Sequence, residues 1–373
     1  MKRKIALIFL AALLLLIAGC TFWRIVKYGE SGVYDFNIFS SRPLFASPQP
    51  FALTTENPER MPKTISFAAH RDVELDRVLA DNGTLAFLVL HHDRLIAERY
   101  YNGHSRETPS MSFSMAKSFL SILIGCAIAD GLIESVEQPV TDFVPELRDA
   151  GYDQVTIRHL LQMTSGMDYF ESDNPFGLHP HFYYSEHLVK DCLALTLREK
   201  PGVRYSYKSG ENELLGLALT RALGGKTITA YMQERLWEPL GMQYGGLYST
   251  DRPGGVEKTF CCLSARAIDF LKFGRLYLHE GEWNGRQLVP RQWVRDSTKI
   301  DETQGSAWFY QYGWWIMDRE TGDYRASGHL GQYLFISPSR DLVILRLGEH
   351  KGQLSTEDWS ALLFAVRDAV AGD

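Results

Sequence analysis

The stretch "SFSMAKSFLSILIG", Ser112 to Gly125, sets a serine, two spacers and a lysine at the head of an apolar run that reads as a buried helix. Positions three apart share a helix face, so Ser114 and Lys117 would project together from the first turn, where the helix N-terminus favours developing negative charge. Such a pair can serve as nucleophile and proton acceptor. It also suits a plain helix start, with Ser112 or Ser114 capping a free N–H and Lys117 in solvent. Spacing alone favours the plain reading, because Ser-x-x-Lys arises by chance about once in a chain of this size. Two further pieces carry reactive side chains. "YSYKSGENELLG" places Tyr207 before a polar turn and an apolar helix, and "ASGHLGQYLFISP" flanks His329 with Gly328 and Gly331 ahead of an apolar strand. Backbone in such a segment could approach a ligand closely, although a buried tyrosine and a lone histidine are each ordinary in a core.

The elements that must position these residues fall into two groups. "TLAFLVLHHDRLIAERYYNG" and "YLFISPSRDLVILRLG" each pair two β-forming apolar runs around a turn, and "TEDWSALLFAVRDAVAG" closes the chain with an amphipathic helix. Between them, "SFLSILIGCAIADGLI", "TIRHLLQMTS", "ENELLGLALTRALG" and "ITAYMQERLWEPLGM" carry helical spacing. Strands at both ends with helices between predict an α+β fold. Its antiparallel sheet would come from the two chain ends, with flanking helices and a helical lobe inserted at about residues 130–260. The site would lie in the cleft between sheet and lobe.

With 373 residues, 45% hydrophobic and 23% charged, the chain has ample material for a large core. A net charge of −6 and the lack of a basic, aromatic-interleaved stretch argue against nucleic acid. The start "MKRKIALIFLAALLLLIAGC" has a secretory layout. Residues 1–20 therefore read as a signal peptide, 21–62 as an extended Pro- and Ser-rich arm, and 63–373 as the folded domain. An uncleaved anchor is the alternative reading of the start, since Thr21 to Trp23 lengthen the apolar run towards the ~20 residues of a spanning helix. Both readings put the domain outside the cytoplasm, attached to a membrane. Cys126, Cys192, Cys261 and Cys262 match no zinc spacing and read as core filler; a bridge between adjacent cysteines forms only with strain.

Taken in order and together, these pieces resemble the serine β-lactamase and penicillin-binding protein superfamily, and most closely its 6-aminohexanoate-dimer hydrolase-like, class C-like esterase branch. The likeness runs from about Tyr34 to the end, through "YDFNIFSSRPL", "VTIRHLLQMTSGMDY", "YKSGENELLG", "LWEPLGM", "ARAIDFLKFGRLYL", "YGWW" and "GHLGQYLFISPSRDLVILRLG". It implies a β-lactamase/transpeptidase-like fold and a serine hydrolase needing no metal or organic cofactor. Ser114 would be the acylated nucleophile, Lys117 its proton partner and Tyr207 the tyrosine of the Tyr-x-Asn or Tyr-x-Ser element. His329-Leu330-Gly331 would match Lys-Thr-Gly, and the oxyanion hole would use the backbone N–H groups of Ser114 and Gln332. The ending "IAGC" resembles a lipobox, which implies lipidation at Cys20 and a cell-envelope location facing the periplasm or outside.

Two departures bear on substrate. His329 stands where many lactamases have the lysine that helps hold a substrate carboxylate, and Ser209 stands where asparagine is common; both weigh against penicillins. An ester, amide or peptide is the expected substrate, with β-lactamase or D-alanyl-D-alanine carboxypeptidase action and an idle envelope binding module as alternatives. Tyr169 is expected near a substrate amide, and Trp314 and Trp315 in or behind the cleft wall, with core packing as the competing role of each. The literal Ser172-Asp173-Asn174 is discounted as the second motif, because the longer match favours Tyr207. His179, His181 and His187 lack an ordered ligand pattern, so no metal site is expected. No Gly-x-Ser-x-Gly elbow occurs, which opposes an α/β-hydrolase. Oligomeric state is open.

Overall fold

The two predicted hairpins meet at the middle of one sheet. In the computed structural model, which describes residues 21–55, 61–172 and 174–372, eight strands build it: β1 (Thr54–Thr55), β2 (Thr84–His91), β3 (Arg94–Tyr100), β4 (Tyr310–Gln311), β5 (Trp314–Ile316), β6 (Tyr324–Gly328), β7 (Gln332–Ser337) and β8 (Leu342–Gly348). Their order is β4-β5-β6-β7-β8-β2-β3-β1. The late strand β8 pairs antiparallel with the early strand β2, Ile344 opposite Val89, so the sheet does come from both ends of the chain. The exception to an antiparallel sheet is edge strand β1, which runs parallel to β3.

Successive strand side chains alternate between faces, and both faces here are apolar. Phe87, Val89, Phe335 and Ile344 pack on one side against Trp359, Leu362 and Leu363. Leu88, Leu334, Val343 and Leu345 join the larger core on the other side with Phe119, Phe270 and Phe273. The helices that matter for the site are α1 (Thr21–Tyr28), α2 (Met115–Ala129), α3 (Leu178–Tyr184), α4 (Ser209–Ala222), α5 (Ala267–Leu278) and α6 (Thr356–Ala371). Nearly every side chain of α2 is buried, as expected of a helix that is apolar all round. Amphipathic α6 covers the opposite face, its start fixed by a capping box between Ser355 and Asp358.

The described residues 21–55 are not an extended arm. Thr21–Tyr28 is helical and lies on α3, where Tyr28 stacks on Tyr184 at 6.2 Å and the Tyr184 hydroxyl donates to Gly29 O at 2.8 Å. Ser40–Leu44 then joins a four-stranded sheet with Gly246–Thr250, Leu263–Ala265 and Ser110–Met111. The aromatics that made this segment look irregular are what attach it to the body: Phe39, for example, meets Tyr183 edge-on at 5.2 Å. The expected signal segment and Cys20 lie outside the described residues. No described helix is long and apolar enough to cross a membrane.

Candidate active site

Strand Ser110–Met111 turns into α2 through Phe113, a non-glycine residue at φ 45°. That costly left-handed conformation brings Ser114 to the N-cap of α2, facing the cleft. The Ser114 hydroxyl makes no capping bond, and Lys117 is 1% exposed rather than solvated, so the helix-cap reading fails on both residues. Instead Lys117 Nζ donates to Ser114 Oγ at 2.8 Å, Ser209 Oγ at 3.0 Å and Phe260 O at 3.0 Å, which uses all three ammonium protons. Burial pulls the Lys117 pKa down to about 8 against the opposing charges of Glu171 and Glu213.

Tyr207 arrives from the turn before α4. Its phenol lines the cleft with Ser114, whose hydroxyl favours the phenolate, and Lys117 Nζ stands 5.0 Å from the ring centroid. Tyr310 and Trp315 pack around the ring at 5.7 and 5.5 Å. This burial, reinforced by Glu171, drives the phenol pKa well above its ordinary value. Tyr207 is thus a phenol at neutral pH, and Lys117 is the group within reach of its neutral form.

Sequence reasoning missed Glu171. Its Oε2 accepts the Ser209 N–H at 2.9 Å and its Oε1 accepts the Ser209 hydroxyl at 2.6 Å. Lys117, Ser209 and Glu171 therefore form a directed chain, each donating to the next. Only the acidic residue in the aromatic loop "DYFESDNPF" hinted at it, because nothing in the spacing ties position 171 to position 209. Lys117 bonds Ser209 and not Ser172, whose Oγ accepts from Asn174 N at 3.0 Å within its own loop.

The far wall corrects four expectations. Ser327, Gly328 and His329 line the cleft with Ser114 and Tyr207, so the segment facing the nucleophile ends at His329, the first residue of the expected match, and Leu330 and Gly331 are not part of it. Gly331 instead turns away at φ 82°, and its carbonyl accepts from Arg346 Nη1 at 2.7 Å. Gln332 is fully buried; its backbone N–H donates to His329 O, and its side-chain amide bonds Gly348 in both directions. That N–H is spent inside the fold rather than offered to an oxyanion. Trp314 points into the core, stacked on Tyr277 at 4.3 Å, while the next residue, Trp315, faces the cleft, as the strand pleat requires. Tyr169 is also core, 1% exposed against Phe182, and reaches the cleft only through a 3.2 Å contact with His179.

The cleft has a volume of about 810 Å³. Its mouth includes Ile25, Val26 and Glu30 from the N-terminal segment, Glu171 from the loop before α3 and His179 from the first turn of α3. The three clustered histidines part ways: His179 meets Glu171 at 3.4 Å, His181 meets Asp191 at 3.2 Å and His187 meets Arg252 at 3.2 Å. Among the described residues no set of three or more His, Cys, Asp or Glu is placed to hold a metal. Cys126 and Cys192 are buried thiols, as expected of filler, but Cys261 and Cys262 are bridged to each other and Cys261 lines the cleft. The bridged pair directly follows Phe260, whose carbonyl holds Lys117.

A sequence-family model described as Beta-lactamase matches residues 75–366. The 6-aminohexanoate-dimer hydrolase of Paenarthrobacter ureafaciens is 27% identical over 317 residues, covering 79% of each chain. Esterase EstB of Burkholderia gladioli is 26% identical over 209 residues, half of this chain and 53% of that one. Among solved structures, a putative 6-aminohexanoate-dimer hydrolase from Bacillus anthracis superposes with a TM-score of 0.82 at 24% identity, covering 91% of this chain and 92% of that one. A putative β-lactamase from Bacteroides dorei gives a TM-score of 0.63 at 18% identity over 79% of this chain and 95% of its own.

Proposed function

Because the chain belongs to the beta-lactamase family, we propose that it is a serine hydrolase cleaving an ester or amide bond through an acyl-enzyme on Ser114. The observation that carries this is the 2.8 Å contact between Ser114 Oγ and a lysine whose charge burial has made easy to lose. Neutral Lys117 takes the hydroxyl proton as Ser114 Oγ bonds the acyl carbon. The protonated Tyr207 phenol, lining the cleft with the same hydroxyl, passes a proton to the departing alcohol or amine and is refilled from Lys117. Water then repeats the sequence in reverse roles, releasing the acid and restoring Ser114.

The developing oxyanion is served by the Ser114 N–H at the start of α2 and by backbone at the Gly328–His329 strand end, in place of Gln332. Dipoles fixed in advance at such a position stabilise the transition state without reorganising.

The cleft lining supports a neutral acyl substrate. Its described residues carry the acids Glu30 and Glu171 and no lysine or arginine apart from buried Lys117 behind Ser114, which leaves only the imidazoles of His179 and His329 to face a substrate carboxylate. The relatives' names, a 6-aminohexanoate-dimer hydrolase and an esterase, agree with a hydrolase. Brief incubation with nitrophenyl acetate followed by intact-mass measurement tests the reading: acetylation at Ser114 is expected. Ser114→Ala is expected to show no adduct and a rate lower by on the order of a thousandfold or more. Hydrolysis undiminished in Ser114→Ala would refute it.

A further inference from the structure

The surface around the cleft mouth is apolar where water should be. Phe22 and Trp23 on α1 are 43% and 42% exposed, and Phe176 and Leu178 across the mouth are 79% and 40% exposed. Phe22 and Phe176 stack at 5.3 Å, so the two sides form one patch. The neighbours Ile25, Val26 and Pro175 line the cleft itself. No side chain of α1 is fully buried, so core packing does not explain its aromatic content. Trp settles at lipid headgroup level, and Trp, Phe and Leu make up the apolar face of helices that lie in that interface.

The chain ahead of α1 says what covers this patch. Residues 1–20 hold three basic residues and the uninterrupted apolar run Ile5–Gly19, ending at Cys20 beside the first residue of α1. On the expectation that this segment spans a bilayer or leaves a lipid on Cys20, the point of attachment would fall at the start of α1. An eight-residue helix is about 12 Å long. It is also fixed to the body, through Tyr28 on Tyr184 and through Arg24, which pairs with Glu186 at 2.5 Å. A flexible arm would let the domain tumble free of the surface, whereas a short packed helix holds one face against it.

We propose that the cleft lip formed by α1 and residues 175–178 docks on a phospholipid bilayer, so that the site takes amphiphilic acyl substrates from the lipid phase. The substrate clause rests on the hydrolase reading above, and the docking clause does not.

The full chain is reconstituted in phosphatidylethanolamine–phosphatidylglycerol vesicles containing shallowly brominated lipid. Tryptophan quenching is compared with that of Trp23→Phe, and hydrolysis of a bilayer-dissolved dodecanoyl nitrophenyl ester is compared with that of soluble nitrophenyl acetate. Docking predicts quenching that Trp23→Phe largely removes. It also predicts that the triple change Phe22→Ser, Trp23→Ser and Phe176→Ser lowers kcat/KM for the long-chain ester on the order of tenfold, the scale of partial loss of apolar burial, with acetate hydrolysis held within about twofold. Quenching without hydrolysis of either ester supports docking and refutes the hydrolase reading. Unquenched Trp23, equal loss on both esters, or a dimer that buries the patch overturns the docking.

Discussion

At Lys117 an ammonium that a solvated helix surface would leave at 10.5 is brought to about 8 by burial, and this makes it usable as a base near neutral pH. The sign follows directly. Activity that needs neutral Lys117 is expected to rise with pH through about 8 as the ammonium is lost, checked by kcat/KM for a neutral ester across pH. Glu171 stabilises the charged form, so Glu171→Gln favours the neutral amine and is expected to move that acid limb to lower pH. The same change releases one acceptor of Ser209, so kcat is expected to fall by about one order of magnitude, the cost of one charge-assisted hydrogen bond. A limb that stays in place in Glu171→Gln would show that the carboxylate does not act on Lys117.

The turn joining β6 to β7 divides the glycine-rich stretch into a cleft side and a packing side. A Cβ on Gly328 would stand 2.4 Å from Ser112 O, so Gly328→Ala must push the strand end away from the nucleophile. Its kcat is expected to fall on the order of a hundredfold, the scale of one lost oxyanion donor, together with about 1–3 kcal/mol of stability, because the obstructing atom is backbone. Gln332→Ala should cost stability alone. It removes both side-chain bonds to Gly348 inside the sheet, at a cost of about 1–3 kcal/mol of stability, and is expected to leave kcat within a few-fold. Denaturant melts and steady-state rates on the two variants separate the roles. On the packing side, Arg346 Nη1 also donates to Leu330 O at 3.1 Å and its guanidinium lies 3.8 Å from the Trp359 ring centroid, so α6 and β8 together hold the turn.

Over the whole molecule the cleft gathers residues from position 25 to position 329, closed by the pairing of β2 with β8. The charge of that assembled wall sets selectivity. Incubation with labelled benzylpenicillin is expected to leave Ser114 unlabelled and the antibiotic intact, since its carboxylate would meet Glu30 and Glu171 and no lysine or arginine. Labelling or rapid turnover would place the protein with the β-lactamases or carboxypeptidases in activity as well as in family.

What the sequence determined by itself was local or periodic. Apolar alternation marked the central strands, three-to-four spacing marked α2, α4 and α6, and the i to i+3 rule put Ser114 and Lys117 on one face before any fold was known. Tertiary structure decided whatever depends on direction in space. The pleat turned Trp315 rather than Trp314 to the cleft, and the backbone turn at Gly331 sent Gln332 into the sheet. Burial, which no single residue specifies, set the protonation of Lys117 and Tyr207. Glu171 joined Ser209 across 38 residues of chain because a loop folded over a helix start, and contacts of that kind leave no spacing to read. The aromatic segment after residue 20 looked like an arm because its packing partners lie more than a hundred residues away, at Tyr183, Tyr184 and Gly246–Thr250.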